Sequence, residues 1–149
     1  MAVYNNSIFI SISSRDRRLA LAAGRWNVAI LRFAMTKRPE NLYEHYHAHV
    51  YFGPTSVAQA RALCQQAGEL FGVSVGRVHE RQVGPHPHWS CQLAFDGANF
   101  DAFIPWLDQH RDGLDVLVHG LTGDDLADHT THAAWLGQES ALKLDMFRL

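Results

Sequence analysis

Lysine is scarce in this chain: Lys37 and Lys143 are the only two in 149 residues. Basic charge is mostly arginine, and it is unevenly spread. Residues 1–34 hold five arginines (15, 17, 18, 25 and 32) and one acid, Asp16. Residues 35–149 hold eight Lys and Arg against fourteen Asp and Glu. Such an acidic body lacks the phosphate-facing basic patch that a nucleic-acid partner requires. Cysteine is equally sparse, and Cys64 and Cys91 cannot make a disulfide framework. Cys64 falls on an apolar helical stripe and Cys91 on the apolar row of a strand, so both are expected as buried free thiols. That usage suits a reducing, cytoplasmic setting. No apolar run reaches the roughly 18 to 20 residues needed to cross a bilayer, so no membrane partner is expected.

What the chain has in excess is histidine. There are ten, all between positions 45 and 132. They are neither contiguous nor terminal, as an affinity tag would be. Imidazole is the commonest metal ligand and the side chain best suited to proton transfer near neutral pH. A 47 % hydrophobic and 19 % charged composition fits one globular domain of this length.

Residues 1–34 show no pattern that pairs with the rest. They read as a dispensable N-terminal extension, either a targeting segment or an over-extended start, with Met35 opening the domain at 35–149. From Glu44 the pattern becomes regular. "HYHAHVYF" (45–52) alternates as a strand, which puts His45, His47, His49 and Tyr51 on one row and Tyr46, Ala48, Val50 and Phe52 on the other. "GPTS" turns the chain, and Ser56 with Gln59 predicts a capping box. Val57, Ala60, Leu63, Cys64, Ala67, Leu70 and Phe71 then recur at helical spacing until Gly72. A second strand is read at 73–82, and "VGPHPH" breaks it, with two prolines fixing the backbone about His86. A third strand follows at 88–95, with His88, Ser90 and Gln92 outward. A second helix covers 100–111, where Pro105 is tolerable only near the first turn. A fourth strand runs over 114–120.

The order β-α-β-β-α-β predicts an α+β, ferredoxin-like (split β-α-β) antiparallel sheet in spatial order 4-1-3-2, with both helices on one face and a C-terminal extension. The helix-facing rows must be the apolar ones. The opposite face then collects His45, His47, His49, Tyr51, Ser90, Gln92 and His119, and the His86 loop approaches the His49 end.

The fragments "HYHAHVYF", "VGPHP" and "LVHGLTGDDLADHT" followed by "WLG", in that order, resemble the DOPA 4,5-dioxygenase family over approximately residues 40–145. The resemblance implies the same fold and an extradiol, ring-cleaving dioxygenase that uses non-haem Fe(II) and O₂ on a small aromatic diol. In purified protein, zinc is an ion the same donors would accept. A departure lies at Gly120, where the family usually has proline; it predicts a more mobile loop and a less secure His119. Within this resemblance the expected ligands are His47, His49 and His119. His86 either replaces one of them or serves as acid or base, and His129, in the "DHT" segment, joins it in the proton steps. His45 is expected as a flanking exposed residue. Arg77 and Arg81 are the cations for a substrate carboxylate, with Tyr51 as a further substrate contact. His129 and His132, three apart, would share a helical face. Asp128 would orient an imidazole or, with Thr130 as the alternative, cap that helix. A two-fold homodimer is expected to cover the sheet face around Tyr51. Two rival readings remain at this stage. One is a histidine-rich metal-binding or sensing domain without catalysis, and the other a metal-free interaction module.

Overall fold

Alternation in "HYHAHVYF" makes the central strand of the sheet, β1 (His45–Phe52). The computed structural model describes residues 36–148; the extension read over 1–34 lies outside them. After β1 come α1 (Val57–Phe71), β2 (Ser74–His79), β3 (Trp89–Asp96), α2 (Gly97–His110) and β4 (Val116–Gly120). A short helix, α3 (Asp125–Asp128), a strand β5 (Ala134–Leu136) and a 3-10 turn (Leu144–Phe147) complete the described residues. The strands form one antiparallel sheet in the order β2-β3-β1-β4-β5. The fold is ferredoxin-like, with the expected 4-1-3-2 core and a fifth strand added beside β4.

Tyr46, Ala48, Val50 and Phe52 meet Cys91, Leu93 and Phe95 of β3 and Val116 and Val118 of β4 in one core. Ala60, Leu63, Cys64 and Ala67 of α1, with Phe100, Phe103, Ile104 and Leu107 of α2, close it from above. Burial of this row fixes the register, because a one-residue slip would exchange the faces. Cys64 and Cys91 are buried free thiols, as expected. No described helix is long and apolar enough to cross a membrane.

Several local expectations are corrected. Ser56 precedes α1 but makes no side-chain cap: its Oγ accepts from the Gly53 amide at 3.0 Å, and Gln59 Nε2 donates to the Asp112 carbonyl at 2.9 Å. The helix ends at Gly72 as predicted, in the left-handed conformation at φ 66°. Pro105 sits well inside α2. It lies on the exposed side, where water can serve the Asp101 carbonyl that loses its amide partner. β2 ends at His79, short of 82, and carries an irregularity between Val75 and Val78. Where Asp128 or Thr130 was expected to cap a helix carrying His129 and His132, the chain makes short α3, a turn and then β5; the cap is Asp124, whose side chain accepts from the Ala127 amide. Trp135 and Leu136 therefore pack from a strand.

β5 also changes the case for a dimer. Tyr51 is only 3 % exposed, because Leu117, Trp135 and, at the margin, Leu142 of the same chain cover it. The closure assigned to a second copy at this spot is supplied within the chain.

Candidate metal centre

β1 delivers His47 and His49 to the face opposite the helices, and β4 stands His119 directly beside His47 in the ladder. The loop after β2 brings His86, turned back by its amide on the Val83 carbonyl. His129 follows α3. Sheet pairing thus gathers five imidazoles from four parts of the sequence. His47, His49 and His119 present nitrogens all within 4.8 Å of one another, and so do His49, His86 and His129. His49 belongs to both triads. Its ring lies 4.1 Å from that of His86, centre to centre, and its Nε2 is 3.1 Å from His119 Nε2. His49, His86 and His119 are buried, while His47 and His129 are half-buried. The cluster therefore has a buried side, formed by His49, His86 and His119, and a more exposed side at His47 and His129.

Backbone carbonyls decide two of the tautomers. His119 Nδ1 donates to the Gly120 carbonyl at 2.9 Å, and His129 Nδ1 donates to the Asp125 carbonyl at 2.7 Å. Each Nε2 is left with a lone pair facing the cluster. Burial favours the neutral form of His47, His49, His86 and His119. Burial, reinforced by the neighbouring imidazoles, lowers His49 well below the usual histidine range. Burial lowers His86 and His119 to about 4, with His129 contributing and the Gly120 carbonyl partly opposing at His119. His47 is lowered too, by burial and then by His129.

These donors fit a divalent metal. Neutral imidazoles are ligands as they stand, without a proton to displace. Two nitrogens bound at roughly 2.1 Å to one ion lie about 3.0–3.4 Å apart, and the His49 and His119 nitrogens are separated by 3.1 Å. An all-imidazole set suits zinc, copper, iron or nickel alike.

The other expected residues fall as follows. His45 is exposed and apart, with Nδ1 2.9 Å from Asp96 Oδ1. Tyr51, read as a substrate contact, is buried, and its hydroxyl lies 2.7 Å from His86 Nδ1. It offers no open surface to a ligand. Burial raises its phenol well above the usual range. Arg77 and Arg81 are exposed, and no hydrogen bond or ion pair among the described residues ties either to the cluster. His132 does not share a helical face with His129: α3 ends at Asp128, and His132 stacks on Tyr43 at 5.3 Å with Nδ1 3.6 Å from Asp128. Asp128, 1 % exposed, accepts from both the amide and the hydroxyl of Thr122. It thereby pins the turn between β4 and His129.

Gly120 is a strand residue here, not part of a loop. Gly120 is buried within β4, opposite Tyr46, and its carbonyl is what holds His119.

Three further contributors surround the cluster, of which the sequence had placed only Gln92 on this face. Gln92 Nε2 lies 3.3 Å from His47 Nε2. Phe147 sets its ring 5.1 Å from that of His129. The C-terminal segment is tied down by the Lys143 amide on the Pro85 carbonyl and by His88 on Ser140. Only the outward row holding Gln92 left a signal in the sequence.

The depressed imidazoles carry a prediction. A histidine held neutral in the fold stabilises it fully above the unfolded value near 6.5, and this contribution is lost as pH falls towards the folded value near 4. His119 alone accounts for up to roughly 3 kcal/mol. Unfolding in chelator should show the metal-free protein losing stability steeply between pH 6.5 and 4.5. A flat profile there would contradict burial of neutral imidazoles.

The fold and the site together define a class: a ferredoxin-like protein with a candidate metal centre of neutral imidazoles on its sheet face. The Dopa 4,5-dioxygenase family matches residues 46–146. A DOPA 4,5-dioxygenase of Amanita muscaria is 30% identical over 110 residues, 68% of this chain and 48% of that protein. An uncharacterised 21.2 kDa protein of Botryotinia fuckeliana is 31% identical over 115 residues, 69% of this chain and 63% of its own. The chain thus spans 48% and 63% of the two curated relatives it matches. A crystal structure of a candidate dioxygenase from Nostoc punctiforme superposes with a TM-score of 0.69 at 40% identity, covering 71% of this chain and 92% of the other. This chain belongs to the Dopa 4,5-dioxygenase family, a family of oxygenases.

Proposed function

We propose that the protein is an extradiol dioxygenase that opens the ring of a catechol such as DOPA with O₂, using non-haem iron(II) held by His47, His49 and His119. The observation that carries this reading is the convergence of neutral imidazoles around His49, in a member of a dioxygenase family. Divalent iron in that position supplies Lewis acidity towards the diol and the redox capacity that dioxygen chemistry needs.

The chain's own residues would do the rest. His49, His86 and His119 form the buried side, and their burial keeps bulk water from the reacting atoms. The diol enters where His47 and His129 are half-exposed, and Phe147 offers its ring an apolar wall. His129 is the natural base, since the Asp125 carbonyl holds its proton on Nδ1 and leaves Nε2 free to accept one from a diol hydroxyl. Such assistance typically contributes about 10²–10⁴-fold. His86 stands opposite, over His49. Arg77 and Arg81 remain the cations proposed for the carboxylate of an amino-acid-like substrate.

The test is anaerobic reconstitution with Fe(II), followed by O₂ with DOPA and a panel of simple catechols. We expect stoichiometric iron, oxygen uptake and a yellow ring-opened semialdehyde. No oxygen uptake with any catechol would refute the ring-cleavage reading. Failure to bind iron at all would also remove the centre.

A further inference from the structure

Tyr51 and His86 form a buried pair at the edge of the cluster, 2.7 Å from phenol oxygen to Nδ1, with 3 % and 7 % exposure. Tyr51 lies on the same row of β1 as His49, one place further along, and its ring is wedged beside Leu117 and Trp135. His86 rides between two prolines, Pro85 and Pro87, on a loop whose Pro85 carbonyl is bonded to the Lys143 amide. Neither partner is free to swing away. Among the described residues, the phenol has no hydrogen-bond partner other than His86.

The direction of that bond follows from what each choice leaves over. If His86 Nδ1 carried the proton and donated it, the phenol hydrogen would have no acceptor in a buried place. An unmet polar group of this kind costs about 1–3 kcal/mol. If the phenol donates, its hydrogen and the Nδ1 lone pair are both satisfied. The proton of neutral His86 is then on Nε2, the ring nitrogen that Tyr51 does not hold. Its neighbours are held the opposite way, because backbone carbonyls take the Nδ1 hydrogens of His119 and His129 and leave Nε2 a lone pair. A metal ligand must present a lone pair, whereas an anionic oxygen calls for an N–H.

We propose that Tyr51 is a positioning residue that holds His86 with its proton on Nε2, so that His86 serves as a hydrogen-bond donor to an anionic oxygen in the pocket and not as a metal ligand. This builds on the dioxygenase reading and divides its roles. His47, His49 and His119 bind the metal, His129 accepts the proton of the diol, and His86 stabilises negative charge that develops on oxygen. No net proton transfer from His86 is required, since a neutral imidazole acts here as a fixed dipole in a water-poor pocket. The phenol and the N–H keep their hydrogens throughout.

The experiment uses the full chain loaded with zinc, a diamagnetic ion, and reads the side-chain nitrogens of His86 by ¹⁵N–¹H correlation. The expected pattern is a protonated Nε2 and a bare Nδ1. In Tyr51→Phe the pattern should move towards the other tautomer, with metal stoichiometry unchanged. In the iron-loaded protein, Tyr51→Phe should lower kcat about 10–100-fold with KM within a factor of about two, less than the roughly 10²–10³-fold lost when a donor to a developing oxyanion is removed outright. His86→Ala should also keep its full complement of metal. A proton on Nδ1 of His86 in the unsubstituted protein overturns the proposal, and so does loss of metal in His86→Ala. If Tyr51→Phe does not fold, the spectrum of the unsubstituted chain and the metal content of His86→Ala still decide. The dioxygenase reading fails separately, through absent oxygen uptake, and leaves the tautomer and metal results standing.

Discussion

His49→Ala should empty the metal centre and lower oxygen-dependent turnover of a catechol by at least ~10³-fold. Losing an outer partner of a metal ligand costs roughly 10–100-fold, and His49 is more central than that. It is the one imidazole shared by both triads, and it faces His119 at 3.1 Å and lies over His86. The next residue on its row is Tyr51 in one direction and His47, already engaged, in the other. Iron content by elemental analysis and oxygen uptake check the outcome, with circular dichroism to show that the chain is folded. His45→Ala is the control. It removes an imidazole from the same strand face, but one that is exposed and paired with Asp96, so metal and turnover should be untouched. A His49→Ala protein that keeps its iron would place the centre elsewhere.

Gly120→Ala should destabilise the fold and loosen the metal together. A methyl group at that position would come within 2.2 Å of Tyr43 Cδ2 and 2.3 Å of its Cγ, so the ring must leave. Tyr43 has little room, because it packs edge-on to Tyr46 at 5.7 Å and stacks on His132 at 5.3 Å. Overpacking of this kind typically costs about 1–3 kcal/mol. The same strain reaches the site, since the Gly120 carbonyl is the acceptor that orients His119. We expect a fall in melting temperature and about a tenfold or greater weakening of metal binding. Adding Tyr43→Ala should recover part of both losses, so that the double variant is less damaged than the two single effects predict. Equal stability for Gly120→Ala and the unsubstituted protein would show that Tyr43 moves freely, contrary to this packing.

Both predictions depend on how differently the residues of the site announce themselves. His47 and His49 were legible at once, because alternation on a strand is a local property and the apolar row Tyr46, Ala48, Val50, Phe52 can only face the core. His119 followed from strand order, as the ferredoxin-like arrangement sets β4 beside β1. His86 was located only to a loop near the His49 end. The "DHT" segment singled out His129, but its local frame was misread: a helical stripe was expected where the chain makes one turn of α3 and then pairs Ala134–Leu136 with β4. A three-residue strand is too short to show a period, so only pairing reveals it. Gly120 was misjudged for a related reason. Its freedom looked like mobility in one dimension, whereas in the fold its missing side chain is the space that Tyr43 fills.

The sequence by itself determined the faces of the sheet, the order of its four main strands and the identity of the imidazoles on one side. These follow from two short periods and from the cost of burying the wrong row, quantities that neighbouring residues fix among themselves. Tertiary structure alone decided which nitrogen each imidazole turns inward and how far each is removed from water. It also decided that Tyr51 holds a histidine and that the chain covers its own sheet beside it. Those matters depend on single atoms brought within about 3 Å by segments far apart in the chain, and no local pattern encodes such meetings.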